Sequence, residues 1–159
     1  MKIQVKDNKD EFFKSLNALI KKKVIVGIPS DKTERNDDEP ITNAEIGYIS
    51  EFGDPERNIP QREFLRPGVE LVKSECAIAL AKAIHAVFDK SKGDPEIYLH
   101  ATGIKASTSV KGFVEAGNFI NLSDYTIFKR KLRGRTGTKP LIDTGQFLAS
   151  ITYGVRDDD

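Results

Sequence analysis

The chain has one cysteine, one methionine, two histidines and no tryptophan. A lone Cys76 rules out an intrachain disulfide and fits a reducing compartment. Neither His85 nor His100 has a partner at metal-ligand spacing, and one cysteine does not complete a zinc site, so no metal or cofactor is expected. Charge of one sign is missing too. The 25 basic and 24 acidic residues leave a net charge of +1, so any contact with nucleic acid has to come from local clusters. No apolar run is long enough to span a bilayer, and no membrane partner is expected. The opening "MKIQVKDNKDEFF" lacks the apolar centre of a signal peptide, which predicts no export.

What is present fits one domain, residues 1–159, without internal repeats. Phe12, Phe13, Leu16, Leu19 and Ile20 recur at helical spacing, with Asp10 placed to cap the start. "KVIVGIP" follows as a β-branched strand ended by Gly27 and Pro29. Residues 30–42 and 53–62 read as exposed loops. Between them "NAEIGYISEFG" is a helix from Asn43, with Ala44, Ile46, Tyr48, Ile49 and Phe52 as its apolar surface and Gly53 as its stop. From Pro67 to Phe88 a long helix is predicted, striped by Val72, Cys76, Ala79, Leu80, Ala83, Val87 and Phe88. The following segment, around Ile97 to Val114, reads as helix only weakly, because Gly103 and a Ser/Thr run oppose it. Ser123 or Asp124 starts a short helix with Tyr125, Ile127 and Phe128 as core. A turn at Asp143-Thr144-Gly145, a short helix from Gln146 and a strand "SITYGV" close the domain, before an acidic tail over 156–159. The fold class is α+β: a small, mostly antiparallel sheet packed against a long helix and shorter helices, with extended loops.

Catalytic constellations fail one by one. Cys76 and His85 lie about 13 Å apart along a straight helix, so Cys76 is read as core. "RGRTGTK" lacks the ending of a phosphate-binding loop. "DTG" at 143–145 is also the tripeptide of aspartic proteases, which need a second carboxylate; here Thr144 reads as a helix N-cap instead. No enzyme is expected.

Lys129, Arg130, Lys131, Arg133, Arg135 and Lys139 form a basic loop over 129–139 without an acid. Three readings of it stand side by side: a solvated connector, contact with a phosphate backbone, or docking to an acidic protein surface.

Three stretches in order, "NAEIGYISEFG", "IPQREFLRP" and "KPLIDTGQFLASITY", carry a resemblance. Through Glu51, Phe52 and Gly53, then Ile59, Pro60, Arg62, Phe64, Leu65, Arg66 and Pro67, then Pro140, Leu141, Asp143, Thr144, Gly145 and Ser150, the chain resembles a family of tailed-bacteriophage virion-morphogenesis proteins. These are variously called neck, head–tail joining (head-tail connector) or tail-completion proteins. Phe147 stands where the family more often has leucine, and residues 91–121 are poorly covered by the likeness.

The resemblance implies a structural virion protein of a phage or prophage, assembled in the bacterial cytoplasm. It implies a homo-oligomeric ring in the neck that joins the DNA-filled head to the tail, beside neighbouring neck, head-completion and tail proteins. The basic residues would then line the DNA channel, in non-specific contact, or face the next ring. A tail terminator capping the tail tube is the alternative within that class, and a DNA-binding accessory protein the alternative outside it. Within the closing motif, Asp143 or Thr144 is expected to cap the last helix, and Gly145 to serve φ or close packing. Phe64 and Leu65 are expected either to pin their loop to the core, the favoured reading, or to bury against a neighbouring subunit.

Overall fold

The computed structural model describes residues 9–29, 35 and 40–158. Most of the predicted loop over 30–42, and Asp159 of the acidic tail, lie outside the described residues. The chain folds as α+β. Its described elements are α1 (Lys9–Ile20), β1 (Lys22–Gly27), α2 (Asn43–Phe52), α3 (Leu65–Glu70), α4 (Lys73–Phe88), α5 (Pro95–Ala116), α6 (Asp124–Leu132), α7 (Gln146–Ser150) and β2 (Thr152–Asp157). The strands pair antiparallel, Lys22 opposite Asp157 through Gly27 opposite Thr152, so the first and last strands close the fold across the whole sequence.

The axis of the molecule is α5, the segment whose sequence argued least clearly for helix. Asp94 caps it through the Glu96 N–H at 2.9 Å, Pro95 occupies its first turn, and Gly117 ends it at φ 70°. Its polar residues bond locally: Thr102 Oγ1 donates to the Tyr98 carbonyl, and Ser107 Oγ to that of Ile104. Gly103 is there for proximity. A Cβ at that position would lie 2.1 Å from Cδ2 of Tyr153, so the glycine lets β2 approach the helix. Gly68 does the same for α3, where a Cβ would stand 2.7 Å from Cα of Val110. Tertiary packing thus overrides the helix propensity of Gly and Ser.

The single helix predicted from Pro67 to Phe88 is two, α3 and α4, broken at Leu71 and Val72. Leu80 and Phe88, expected inside, are exposed. α2 begins one residue after its cap, Thr42, which with Glu45 forms a reciprocal capping box. Two core clusters lie along α5. Phe64, Val110, Val114, Phe147 and Ile151 are buried together towards its C-terminal half, and Leu19, Ala83 and Leu99 towards its N-terminal half.

Candidate functional site: the motif junction and the basic segment

The three stretches that carry the resemblance meet in space. α3 opens at Phe64, a residue whose side chain has no acceptor to cap a helix. Glu51, from the end of α2, supplies one instead. Its carboxylate accepts the backbone N–H groups of Phe64 at 2.8 Å, Leu65 at 3.0 Å and Arg66 at 3.3 Å. A negative group at the start of a helix satisfies donors that the helix itself leaves unpaired and sits favourably on its dipole.

Gly53 then turns the chain away from α2 at φ 76°, where a Cβ would stand 3.0 Å from the Gln61 nitrogen. Gln61 Nε2 donates to the Glu51 carbonyl, and the Arg62 N–H to that of Ser50, so the first two stretches are stitched along their backbones. Phe64 is fully buried and meets Phe147 edge-on, with centroids 5.3 Å apart. That contact joins the second stretch to the third. Phe64 therefore pins its loop to the core, as expected, with Leu65 packed half-buried against the same cluster. Phe52 and Arg66 point outward; Arg66 pairs with Glu63 at 2.6 Å.

Sequence reasoning missed the part played by Arg62. Its guanidinium donates to the carbonyls of Ile120 (2.8 Å) and Asn121 (3.1 Å), tying the segment after α5 to the junction, and burial lowers its pKa. A lone arginine in a loop carries no sequence signal for this, because its acceptors are backbone groups about sixty residues away.

The basic segment is a folded clasp more than a loop, since its first part is the last turn of α6. Arg130 turns inward. One of its terminal nitrogens lies 3.0 Å from each of the carbonyls of Gly137, Lys139 and Ile142, and its Nε is 3.6 Å from Asp143. Burial lowers its pKa, Asp143 opposes that shift and Arg135 adds to it. Arg135 reaches Asp143 at 2.6 Å, and Lys139 donates to the Glu115 carbonyl in the last turn of α5. Three of the six cations named as channel or inter-ring contacts thus hold the closing stretch in place. Lys129, Lys131 and Arg133 are exposed on α6 and at its end. Lys129 lies over the Tyr125 ring at 5.5 Å; Tyr125 and Phe128, expected in the core, are exposed because α6 turns Ile127 and Arg130 inward instead.

The closing stretch settles two further expectations. Asp143 does not cap α7; the Thr144 hydroxyl makes a long contact, 3.5 Å, with the N–H of Gln146 at its start. Asp143 is held by the two arginines, and the boundary residue is Gly145 at φ 81°. A Cβ on Gly145 would meet nothing within 4 Å, so the glycine serves conformation and not close packing. Pro140 is buried, and Leu141 adopts φ 61°, a left-handed conformation unusual for a leucine, with its side chain packed on the core.

A cavity of about 290 Å³ lies between clasp and junction, lined among others by Ile49, Arg62, Arg130, Leu141, Asp143 and Phe147. Elsewhere, Cys76 is buried with Sγ 4.0 Å from the Thr102 carbonyl, and burial pushes its thiol pKa up. His85 is exposed, and His100 Nδ1 lies 3.3 Å from the Tyr153 hydroxyl.

No family model, curated protein or solved structure matches the chain.

The arrangement can therefore be judged by its own chemistry. Each motif residue with a polar contact here donates to or accepts from backbone, or neutralises a neighbour. Among the described residues no group of three or more His, Cys, Asp or Glu could hold a metal ion, and no helix is long and apolar enough to cross a membrane.

Proposed function

We propose that this chain is a structural subunit of a tailed-bacteriophage or prophage virion, placed in the neck, where a homo-oligomeric ring joins the DNA-filled head to the tail. One observation carries the reading. The first two stretches that resemble the family lie close in sequence and the third more than seventy residues on, and all three interlock at one junction through Glu51, Phe64 and Phe147. Residues that build a scaffold would be arranged in this way, and the same surface identity repeated around a ring demands an accurately set scaffold.

In this reading the protein performs no reaction and carries no cofactor. It acts by shape, with neighbouring neck, head-completion and tail proteins above and below. Lys129 and Lys131, exposed on α6, are the cations that would meet DNA in the channel, or the next ring, through weak, salt-screened contact. The free-standing DNA-binding reading loses ground here, since half of the basic cluster is engaged within the fold.

Electron microscopy of lysates from a phage with this gene deleted, and then complemented, tests the proposal. Filled heads beside free tails of normal length are expected. Tails of irregular length would make the protein a tail terminator, and infectious particles without it would refute a virion role.

A further inference from the structure

Helix α4 carries two apolar stripes. One side buries Cys76, Ala83 and Ala86. The other raises a ridge at i, i+4 and i+8 of Leu80, Ile84 and Phe88, flanked by exposed Ala77 and Ala81, with Lys73, paired to Glu70, at the N-terminal end of the same face. The ridge continues onto α1, because Phe88 meets Phe12 at 4.8 Å and Phe12 meets Phe13 at 5.4 Å. Phe13 and Phe88 are 57% and 66% exposed. The ridge's exposed aromatic end, Phe13 and Phe88, is a knob at the end of the molecule where α5 begins.

A second apolar surface lies towards the other end of α5, beyond the Phe64–Phe147 contact. Tyr48 and Phe52 stack at 4.9 Å on the outside of α2 and are 68% and 62% exposed. This one is concave. A groove of about 410 Å³, lined by Ile28, Ala44, Gly47, Tyr48, Phe52 and Leu65 among others, runs on one side of Tyr48. Another of about 690 Å³, lined by Pro40, Ile41, Ala44 and Ile49 with Tyr48 as its wall, runs on the other.

We infer that these two surfaces dock onto each other between copies of this chain, the Phe13–Phe88 knob of one subunit seated in the Tyr48–Phe52 groove of the next. The inference rests on the ring reading and says which faces make the ring. The areas agree with it. At about 200 Å² for a phenyl side chain, the four large residues of the ridge and knob expose on the order of 400 Å². A standard interface buries about 800 Å² per partner, a little over half of it apolar. Shape agrees as well: a knob and a groove are unlike surfaces, and unlike surfaces at opposite ends make a head-to-tail contact that propagates, and that forms a ring where the rotation between subunits closes. A two-fold dimer would need one surface complementary to itself.

The test uses two variants of the full chain, a knob variant (Phe13→Glu with Ile84→Glu) and a groove variant (Tyr48→Glu with Phe52→Glu). All four side chains are substantially exposed, and thermal melting followed by circular dichroism checks that each variant folds; single changes Phe13→Glu and Phe52→Glu replace any that do not. Sedimentation velocity over rising concentration should show wild-type chain forming oligomers and each variant alone remaining monomeric. An equimolar mixture should yield dimers and nothing larger, because each pair restores one good interface and leaves two blocked ends. A wild-type chain that is monomeric at every concentration, a variant that still assembles, or a mixture that stays monomeric would each overturn the head-to-tail assignment. Those results leave the deletion phenotype untouched, so failure here is distinguishable from failure of the neck reading.

Discussion

The carboxylate of Glu51 accepts the Phe64 N–H at 2.8 Å, and through it one helix caps another that has no cap of its own. Removing this acceptor leaves N–H groups at the start of α3 without it. Glu51→Ala should destabilise the fold by about 2 kcal/mol, as for hydrogen bonds to a charged group, lowering Tm by roughly 6 °C for a chain of this size. Glu51→Gln should cost less, since it keeps the shape and loses the charge. Thermal melts of the two variants check the order.

The two glycines of the motif stretches should respond unequally. Gly145→Ala meets no atom and carries only the left-handed backbone cost, about 1 kcal/mol. Gly53→Ala adds to that a 3.0 Å approach to the Gln61 nitrogen, so it should destabilise more. Chemical denaturation of both measures the difference; equal effects would mean that the Gly53 loop yields freely.

Gly103→Ala sets helix propensity against packing. Propensity alone predicts a gain of about 1 kcal/mol, but the new Cβ collides with the Tyr153 ring. Overpacking of about 1–3 kcal/mol should win. Shortening Tyr153 to Ser in the same chain should make the two effects clearly non-additive, as a double-mutant cycle would record.

This glycine also shows why parts of the fold were hidden in the sequence. The strands announced themselves through β-branched runs, α1 through its apolar spacing, and Ser123 through its place as a cap. α5 was obscured because Gly103, Thr102 and Ser107 read as helix breakers, and only contact with β2 and α3 explains them. The division between α3 and α4 has no proline or glycine at Leu71 and Val72 to mark it. Thr42 and Glu45 did spell a capping box, a signal that was available. At the junction, Phe64 and Gly145 behaved as their residue types suggest. Arg130 and Arg62 could not be read, because a guanidinium that binds carbonyls looks in sequence like any surface cation.

The basic segment offers a direct separation of roles. Arg130→Ala should lower stability by a few kcal/mol, since the carbonyls of Gly137, Lys139 and Ile142 lose their donor. The double change Lys129→Ala, Lys131→Ala should leave the melting temperature nearly unchanged. It should reduce low-salt retention on duplex DNA if the segment lines the channel, with a shallower salt dependence.

Acid should loosen α2 first at its start. The Glu45 carboxyl is held below the usual carboxylate range by the backbone N–H of Thr42 and then by its hydroxyl. Because the folded pKa is the lower one, this contribution is present above the unfolded value of about 4.3 and is lost as pH falls through the folded value. A carboxyl NMR titration should show the depression, and Thr42→Ala should diminish it.

The central claim is a place in the virion, and immunogold labelling of intact particles tests it most directly. Antibody against this chain, applied to purified phage and viewed by electron microscopy, should put gold at the junction of head and tail. Label on the capsid faces or at the distal tail tip, or particles that lack the protein altogether, would contradict the account.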